Sequence, residues 1–534
     1  MELARPPRGR RGATINPARE LAAFRDPAAF LRAPIALLLH SRLEWRREVT
    51  LRIALALLPC AVLVLHLREV LGSSASSWVV PLAMTAVNAL LVISLAREVL
   101  RGRGFLVFWA LYSLFWSAAA WHGVHFHSAP RPAALFMNLD EIAQTPLPDW
   151  SEIPWGILAA ALALGWLART PSPRGRDLRL TTLAAAMAFG ALHTIGLFRY
   201  QTADMLRFSS YDDLVRTQGL EGAAILDGVD LLREPDGAEV FRQLRIDAAE
   251  RPAAPLPLDP VGVDRVVIVQ IESLDRDALT PEVAPNLLRL WNGATHGLVN
   301  TMHSSVSGSS GADFQLLTGL RPLTRTPPYR LTWDEDGSGL PAYAASKGFA
   351  FHAYHGNNRH FWNRGPFFAA LGVDFHSGES FAGTEFSRWG KADGDLFRYA
   401  AASIREQRRA VHFLITLSSH APYDLVDPAA HQQSAPVLTR YLESISYVDA
   451  ALGDFLQQLP SDGRSLVALY GDHTSGLFDA AADRPVPLIL GMVAGDRSLA
   501  PLASGGSEVH ELAGVLELAA LNRYVKDSLD ASAR

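Results

Sequence analysis

Three short stretches place a carboxylate or an imidazole directly after an apolar run. Val266–Val269 leads into Gln270-Ile271-Glu272-Ser273, Phe413–Leu417 into Ser418-Ser419-His420, and Leu466–Leu469 into Tyr470-Gly471-Asp472-His473-Thr474. Ligands of open α/β sheets gather at the carboxyl ends of strands. A single carboxylate there is usually a cap or a solvated strand end. Three polar strand ends spread over two hundred residues point instead to one site. Two carboxylates and a neutral imidazole suit a divalent cation and leave a position for substrate. A hydroxyl-rich turn, Ser304-Ser305-Val306-Ser307-Gly308-Ser309-Ser310, precedes Gly311-Ala312-Asp313-Phe314 and a helix-like run. A hydroxyl at a helix N-terminus gains from the dipole and from free backbone N–H groups, and a nearby cation lowers its pKa further. The same composition also describes a flexible loop with an N-cap.

The elements that must position these groups begin near Val263. From there, short apolar runs alternate with amphipathic stretches such as Pro285–Trp291 and Val437–Leu459, the second stopped by Pro460. That alternation predicts an α/β domain over residues 263–534 with a central, mainly parallel sheet flanked by helices. The preceding residues differ in kind. Apolar segments at Leu51–Leu67, Trp78–Ala96, Gly104–Trp121, Ile153–Ala168 and Leu180–Phe198 approach the ~20 residues that a spanning helix needs. We therefore expect a basic N-terminal tail over 1–48, a five-helix membrane domain over 49–200, and a juxtamembrane helix with a Pro-rich linker over 201–262.

Arginines set the expected orientation. Arg5, Arg8, Arg10, Arg11, Arg42, Arg46 and Arg47 precede the first span; Arg97, Arg101 and Arg103 follow the second; Arg169, Arg174, Arg176 and Arg179 follow the fourth. The positive-inside rule puts all three groups in the cytoplasm. Five spans then leave the α/β domain on the outer face of a bacterial-type cytoplasmic membrane. The N-terminus lacks the layout of a cleaved signal peptide, so the first span is expected to be retained. The connection after the third span carries His122, His125 and His127, read as an interfacial loop with scattered histidines. The lone Cys60 lies in an apolar run, which rules out an intrachain disulfide, a Cys-based zinc site and a thiol nucleophile in the soluble part. A formal net charge of -5 and no basic tract outside the membrane region give no sign of nucleic-acid binding.

Taken in order, these motifs resemble a known family. Ile271-Glu272-Ser273, the hydroxyl turn before Asp313-Phe314, His355-Gly356-Asn357, Phe361-Trp362-Asn363-Arg364, Trp389-Gly390 with Asp393-Gly394-Asp395-Leu396-Phe397, Ser419-His420 and Gly471-Asp472-His473 look like lipoteichoic acid synthase. More broadly they resemble the phosphoglycerol transferase and sulfatase-like branch of the alkaline phosphatase superfamily. The resemblance implies that Glu272, Asp472 and His473, with Ser309, hold a divalent metal ion, Mn²⁺ first and Mg²⁺ or Zn²⁺ as options. It implies Ser309 as nucleophile, where the relatives carry threonine, with Ser310 beside it as the other position. It implies His355, Trp362, Arg364 and His420 around a phosphoglycerol head group, with Asn357 where some relatives carry an acid. Arg364 would grip phosphate through a bidentate fork, and His355 and His420 would donate to the phosphoryl group or shuttle a proton. The turn lacks the Pro and Arg that follow a sulfatase's modified residue, which argues against a formylglycine sulfatase.

The expected activity is transfer of phosphoglycerol from a phospholipid, phosphatidylglycerol, to a glycan or polyglycerolphosphate acceptor through a phosphoseryl intermediate. Rival readings are a phosphoethanolamine transferase, a phosphodiesterase using water, and an inactive membrane sensor or scaffold.

Overall fold

The computed structural model describes residues 27–66, 75–100, 103–126, 129, 131, 155–167, 182–183, 186–187, 211–232, 237–301, 308–322, 329, 339–387, 389–421, 423, 436–478, 485–495, 497–504, 507–508 and 511–533. The apolar segments form helices α1 (Pro27–His66), α2 (Ala75–Val99), α3 (Arg103–Phe126) and α4 (Trp155–Leu167). Among the described residues three stretches are long and apolar enough to cross a membrane: Trp45–Leu65, Trp78–Val99 and Arg103–Gly123. α4 is described over 13 residues, and the residues on either side of it lie outside the described ones. The fifth expected span also lies almost wholly outside the described residues, so three of the five expected spans appear as helices long enough to cross a membrane. Two expectations change. α1 starts at Pro27, inside the segment read as a tail, and α3 extends through Phe126, so His122 and His125 are helical. His127 lies outside the described residues.

Charges buried among these helices are paired, as apolar surroundings demand. Arg97 grips Glu48 through Nε–Oε1 at 2.6 Å and Nη2–Oε2 at 2.7 Å, and Arg52 Nε reaches Oε1 at 3.1 Å. α5 (Tyr211–Leu232), expected as a juxtamembrane helix, packs on them directly. Leu214, Val215, Leu220 and Ala223 share a buried cluster with Val62, Leu63, Trp116 and Ala119. Its kink at Gly219 (φ 70°) allows the close approach, because a Cβ there would lie 2.9 Å from the Thr85 amide nitrogen. Asn88 Nδ2 donates to the Gln218 carbonyl at 2.8 Å across the same contact.

The α/β domain is built on a nine-stranded sheet. Its strands are β1 (Arg265–Ile271), β2 (Thr295–Asn300), β3 (Ala350–His355), β4 (Asp374–His376), β5 (Ala410–Ile415), β6 (Ser465–Gly471), β7 (Val486–Gly495), β8 (Ser498–Ala500) and β9 (Glu511–Glu517). The order is β9-β2-β7-β6-β1-β5-β3-β4, with β8 pairing β7. β7 alone is antiparallel to its neighbours, so the sheet is mixed and mainly parallel. The three strands expected from their apolar runs appear as β1, β5 and β6, adjacent at the centre. Every residue of β1 is buried, which is what the Val-Val-Ile-Val run requires of a strand covered on both faces.

Alternate β1 residues feed two cores. Val266 and Ile268 pack with α8 (Gly308–Thr318), α9 (Leu340–Ser346), α10 (Arg364–Ala370) and α13 (Leu518–Ala533). Val267, Val269 and Ile271 pack with α7 (Pro285–Gly293), α11 (Asp393–Glu406) and α12 (Val437–Gln458). Each fully buried Val or Ile contributes about 1.5–3 kcal/mol, so the two-sided burial fixes where β1 ends and therefore where Glu272 stands.

One helix joins the two parts. α6 (Gly237–Glu250) sets Phe241 and Leu244 against Phe314 of α8, and Arg321 just beyond α8 bonds Asp247 at 3.2 Å and Glu517 at 2.6 Å. The residues leading from the apolar helices thus touch the helix that carries the hydroxyl turn. Phe241→Ala removes a side chain that is 2% exposed and is expected to cost about 3–5 kcal/mol. Thermal unfolding of the detergent-solubilised chain should show a lowered midpoint and faster proteolysis between α5 and β1. An unchanged midpoint would mean that α6 is a passive linker.

Candidate active site and metal centre

The ends of β1 and β6 meet because the strands pair in parallel register, Gln270 with Tyr470 and Ile271 with Gly471. The residues that follow, Glu272 and Asp472, are therefore side by side. The turn after β1 is tight. Ser273 adopts φ 54°, a costly conformation for a residue with a Cβ, and it spends that geometry on the site. Its amide donates to Asp472 Oδ1 at 2.8 Å and its hydroxyl donates to Glu272 Oε1 at 2.8 Å. The Glu272 amide donates to Thr416 Oγ1 at 2.9 Å, while Ser419 Oγ donates to the Glu272 carbonyl at 2.6 Å. The end of β5 is thereby locked to the end of β1.

His473 completes the cluster, with Nε2 3.2 Å from Glu272 Oε1 and 3.6 Å from Asp472 Oδ1. Ligand atoms of Glu272, Asp472 and His473 all lie within 4.8 Å of one another. Ser309, in the first turn of α8, donates its Oγ hydrogen to Glu272 Oε2 at 2.9 Å. Gly308 before it stands against the His473 ring, where a Cβ would be in van der Waals contact at 3.4 Å from Nε2. Of the two adjacent serines, Ser309 is half-buried and bonded to the cluster, while Ser310 is 6% exposed. Ser304–Ser307 lie outside the described residues.

Two observations show that these donors fit a divalent cation. Asp472 Oδ2 is buried without a hydrogen-bond partner among the described residues, and a buried acceptor of that kind costs about 1–3 kcal/mol if left unmet. The protonation balance is also distorted. Burial and then the Glu272 charge push the Asp472 carboxyl up to about 7, against the pull of His473 and the Ser309 hydroxyl. Burial acts on Glu272 in the same sense, but His420 and His473 hold it well below the usual carboxylate range. Burial disfavours a charged His473, yet Asp472 and Glu272 raise it to about 10. A divalent cation balances two ionised carboxylates and a neutral imidazole without that distortion.

Beside this cluster lies a second buried network that the sequence did not reveal. Arg364, at the start of α10, is 6% exposed. Its Nε donates to Tyr329 Oη at 3.1 Å, its Nη1 meets His355 Nε2, and its Nη2 lies 3.8 Å from Asp313 Oδ2. Asp313 on α8 also accepts from Tyr329 and, at 2.7 Å, from Gln270 Nε2. The guanidinium expected to grip phosphate through a bidentate fork thus also has partners within the protein. His355 Nδ1 donates to the Ile415 carbonyl at 3.0 Å, which fixes the tautomer and leaves Nε2 to accept from Arg364. Burial and the Arg364 charge hold His355 well below the ordinary histidine range, so the ring is neutral. Its Nε2 faces Arg364.

His420 is placed differently. It is half-buried, and its Nδ1 faces the Ala421 carbonyl at 2.7 Å, so Nε2 is the nitrogen left for a ligand. Its ring packs on Trp389 at 4.6 Å between centroids, and Trp389 meets Phe361 at 5.9 Å. Trp389 Nε1 anchors to the Ala421 carbonyl at 2.7 Å. The aromatic wall described here is thus Trp389; the side chain of Trp362 lies outside the described residues. Asp393 holds this corner by accepting from the Leu417 and Ser418 amides, both at 2.9 Å. Asn357 is buried, and its side-chain oxygen accepts from the Asn358 amide at 2.6 Å.

Comparison with known proteins agrees with the ordered motifs. Residues 264–501 match the sulfatase family model. The chain is 27% identical to lipoteichoic acid synthase 2 of Bacillus subtilis over 226 residues, which is 39% of this chain and 35% of that protein. It is 24% identical over 252 residues, 42% of this chain and 38% of the other, to a Rhizobium meliloti protein named for cyclic beta-1,2-glucan modification. The chain thus spans little more than a third of the length of these relatives. Among solved structures, the lipooligosaccharide phosphoethanolamine transferase A of Neisseria meningitidis aligns with a TM-score of 0.47 at 14% identity. That alignment covers 84% of this chain and 89% of the other.

Mn²⁺ affinity of the full-length protein, read by competition with a chelating dye, tests the cluster. Asp472→Asn should weaken binding by more than the roughly 10–100-fold that loss of an outer-shell partner causes. Wild-type affinity should fall as pH drops from about 10 and more steeply below about 7, because the protons held by the raised His473 and Asp472 compete with the cation. Affinity that is flat with pH, or unchanged in the variant, contradicts the assignment.

Proposed function

We propose that this chain, whose residues 264–501 form a sulfatase-family domain related to the lipoteichoic acid synthases, is a membrane-anchored phosphotransferase that moves a phosphoglycerol group from phosphatidylglycerol to a glycan or polyglycerolphosphate acceptor. The observation that carries this reading is Ser309 Oγ bonded at 2.9 Å to Glu272 within the buried carboxylate–carboxylate–imidazole cluster. A hydroxyl at the first turn of a helix, against a cation site, is an activated nucleophile. The spanning helices favour a lipid donor, since a tethered site meets its substrate at high local concentration. A glycan acceptor is favoured by the likeness to the glucan-modification protein.

A divalent cation held by Glu272, Asp472 and His473 would supply positive charge that lowers the hydroxyl pKa and offsets charge on the phosphoryl oxygens. With its proton released to solvent as the cation lowers its pKa, Ser309 Oγ attacks phosphorus in line as the alkoxide, its O–P bond forming as the bond from phosphorus to the diacylglycerol oxygen breaks. It leaves as the same alkoxide in the second step. His420 Nε2 gives a proton to that leaving oxygen, so neutral diacylglycerol stays in the membrane and phosphoglyceryl-Ser309 remains. His420 then takes the proton of the acceptor hydroxyl, whose oxygen displaces Ser309. Arg364, clamped by Tyr329, His355 and Asp313, contributes a fixed positive charge at low dielectric instead of a mobile fork. Trp389 shields the corner holding His420 from water. On this reading the catalytic domain works on the outer face of the cytoplasmic membrane, where no nucleotide donor is needed.

Release of labelled diacylglycerol from phosphatidylglycerol vesicles is the direct assay. Ser309→Ala should reduce it by at least about 1000-fold, as loss of a covalent nucleophile does, while Ser310→Ala should stay within about tenfold of wild type. Undiminished release from Ser309→Ala would sink the nucleophile assignment. Loss in Ser310→Ala alone would move it by one residue.

A further inference from the structure

The sheet register builds a second cluster of metal-ligating side chains on the opposite face from His355. His352 on β3 pairs with Asp374 on β4 and with His412 on β5, and Tyr354 pairs with His376. Because strand side chains alternate, His352 and Tyr354 share one face, as do Asp374 and His376. Phe375 between them turns into the other core. The cluster lies about 10 Å along β3 from His355, three residues at roughly 3.3 Å each.

Three donor atoms converge there. His352 Nδ1 and His376 Nε2 each lie 3.1 Å from Asp374 Oδ2, and the two nitrogens are 3.5 Å apart. A point about 2.0–2.1 Å from all three, the usual Zn–N distance, stands roughly 0.8 Å out of their plane, close to a tetrahedral arrangement. The outer nitrogens suit the same state. His376 Nδ1 is 3.0 Å from Tyr399 Oη. His352 Nε2 is buried and lies beside Gln407 Oε1, though among the described residues the two fall short of good hydrogen-bond geometry. With a cation on Nδ1, His352 must carry its proton on Nε2, and Gln407 Oε1 is the waiting acceptor. Ligating histidines characteristically hand their second N–H to such a partner. With hydrogen bonds alone, two ring nitrogens crowd one carboxylate oxygen.

The site is reachable. The Asp374 side chain is 62% exposed, whereas those of His352 and His376 are 9% and 19% exposed. The rings are held by stacking: Tyr354 lies 4.8 Å from His376 and His412 lies 5.4 Å from His352, between centroids. Two imidazoles and one carboxylate select a borderline transition ion over Mg²⁺ or Ca²⁺.

We propose that His352, Asp374 and His376 form a second metal site for an ion of the zinc class, with its fourth position open to solvent, that ties the edge strand β4 to β3. The location gives it a structural purpose. β4 has three residues and closes one side of the sheet, so few hydrogen bonds hold it. The chain leaving β4 is part of the wall around the first site, with the Gly378 amide donating to the Asn357 carbonyl at 2.7 Å.

Metal content of the full-length, detergent-solubilised protein tests this, after chelator stripping and dialysis against micromolar Zn²⁺. Wild type should retain two zinc ions per chain, and Asp472→Asn, Asp374→Asn and His376→Gln one each. The Asp472→Asn/Asp374→Asn double variant should retain none. Equal zinc content in wild type and Asp374→Asn overturns the proposal, as does a single ion in wild type that only Asp472→Asn removes. Asp374 is exposed, so its amide variant should fold, and Co²⁺ absorption gives a second reading. A tetrahedral spectrum should persist in Asp472→Asn and vanish in the double variant; no such spectrum in Asp472→Asn also counts against the site.

Discussion

Two carboxylates and an imidazole packed at the ends of two adjacent parallel strands are the constraint around which the catalytic domain is arranged. Like charges brought that close and out of water repel, and the penalty of burying each ion is several kcal/mol after relaxation. The fold meets the cost with surrounding dipoles. The strained Ser273 turn gives Asp472 an amide and Glu272 a hydroxyl. Thr416 and Ser419 hold the Glu272 backbone, while Asp393 holds the turn that carries Ser419 and His420. Asp472 Oδ2 has no hydrogen-bond partner among the described residues, and two carboxylates around it suit a divalent cation.

The second constraint is where the positive side chain sits. Arg364 is buried in a net of Tyr329, Asp313, His355 and Gln270 that bridges α8, α10 and the ends of β1 and β3. A buried ion pair seldom adds much stability, but breaking one is costly, so the net favours one arrangement of α8 and with it one position of Ser309. α8 is also the helix that Phe241 and Leu244 of α6 touch. The turn that carries Ser309 therefore lies between the charge network and the segment that follows the apolar helices.

Much of this was legible in the sequence because it depends on local pattern. Apolar runs of four or five β-branched or aliphatic residues mark strands buried on both faces, and the polar groups behind them mark the sheet's carboxyl edge. Glu272, Asp472, His473 and Ser309 follow from that pattern once the ordered motifs are recognised. Features set by tertiary register were not legible. The engagement of Arg364 depends on Tyr329 and Asp313, distant in sequence and unremarkable alone. Trp389 becomes a wall only because the Ala421 carbonyl anchors it beside His420. The His352, Asp374 and His376 triangle exists only in the β3–β4 register, and nothing in the spacing of those residues announces it. Of the five apolar runs, the first three correspond to helices long enough to cross a membrane.

The account turns on a cation between β1 and β6, and anomalous diffraction from crystals of the full-length protein grown with Mn²⁺ tests it most directly. The predicted result is a strong peak among Glu272, Asp472 and His473, within coordinating distance of Ser309 Oγ. Full Mn²⁺ occupancy elsewhere, with these four side chains unmoved and free of density between them, would contradict it.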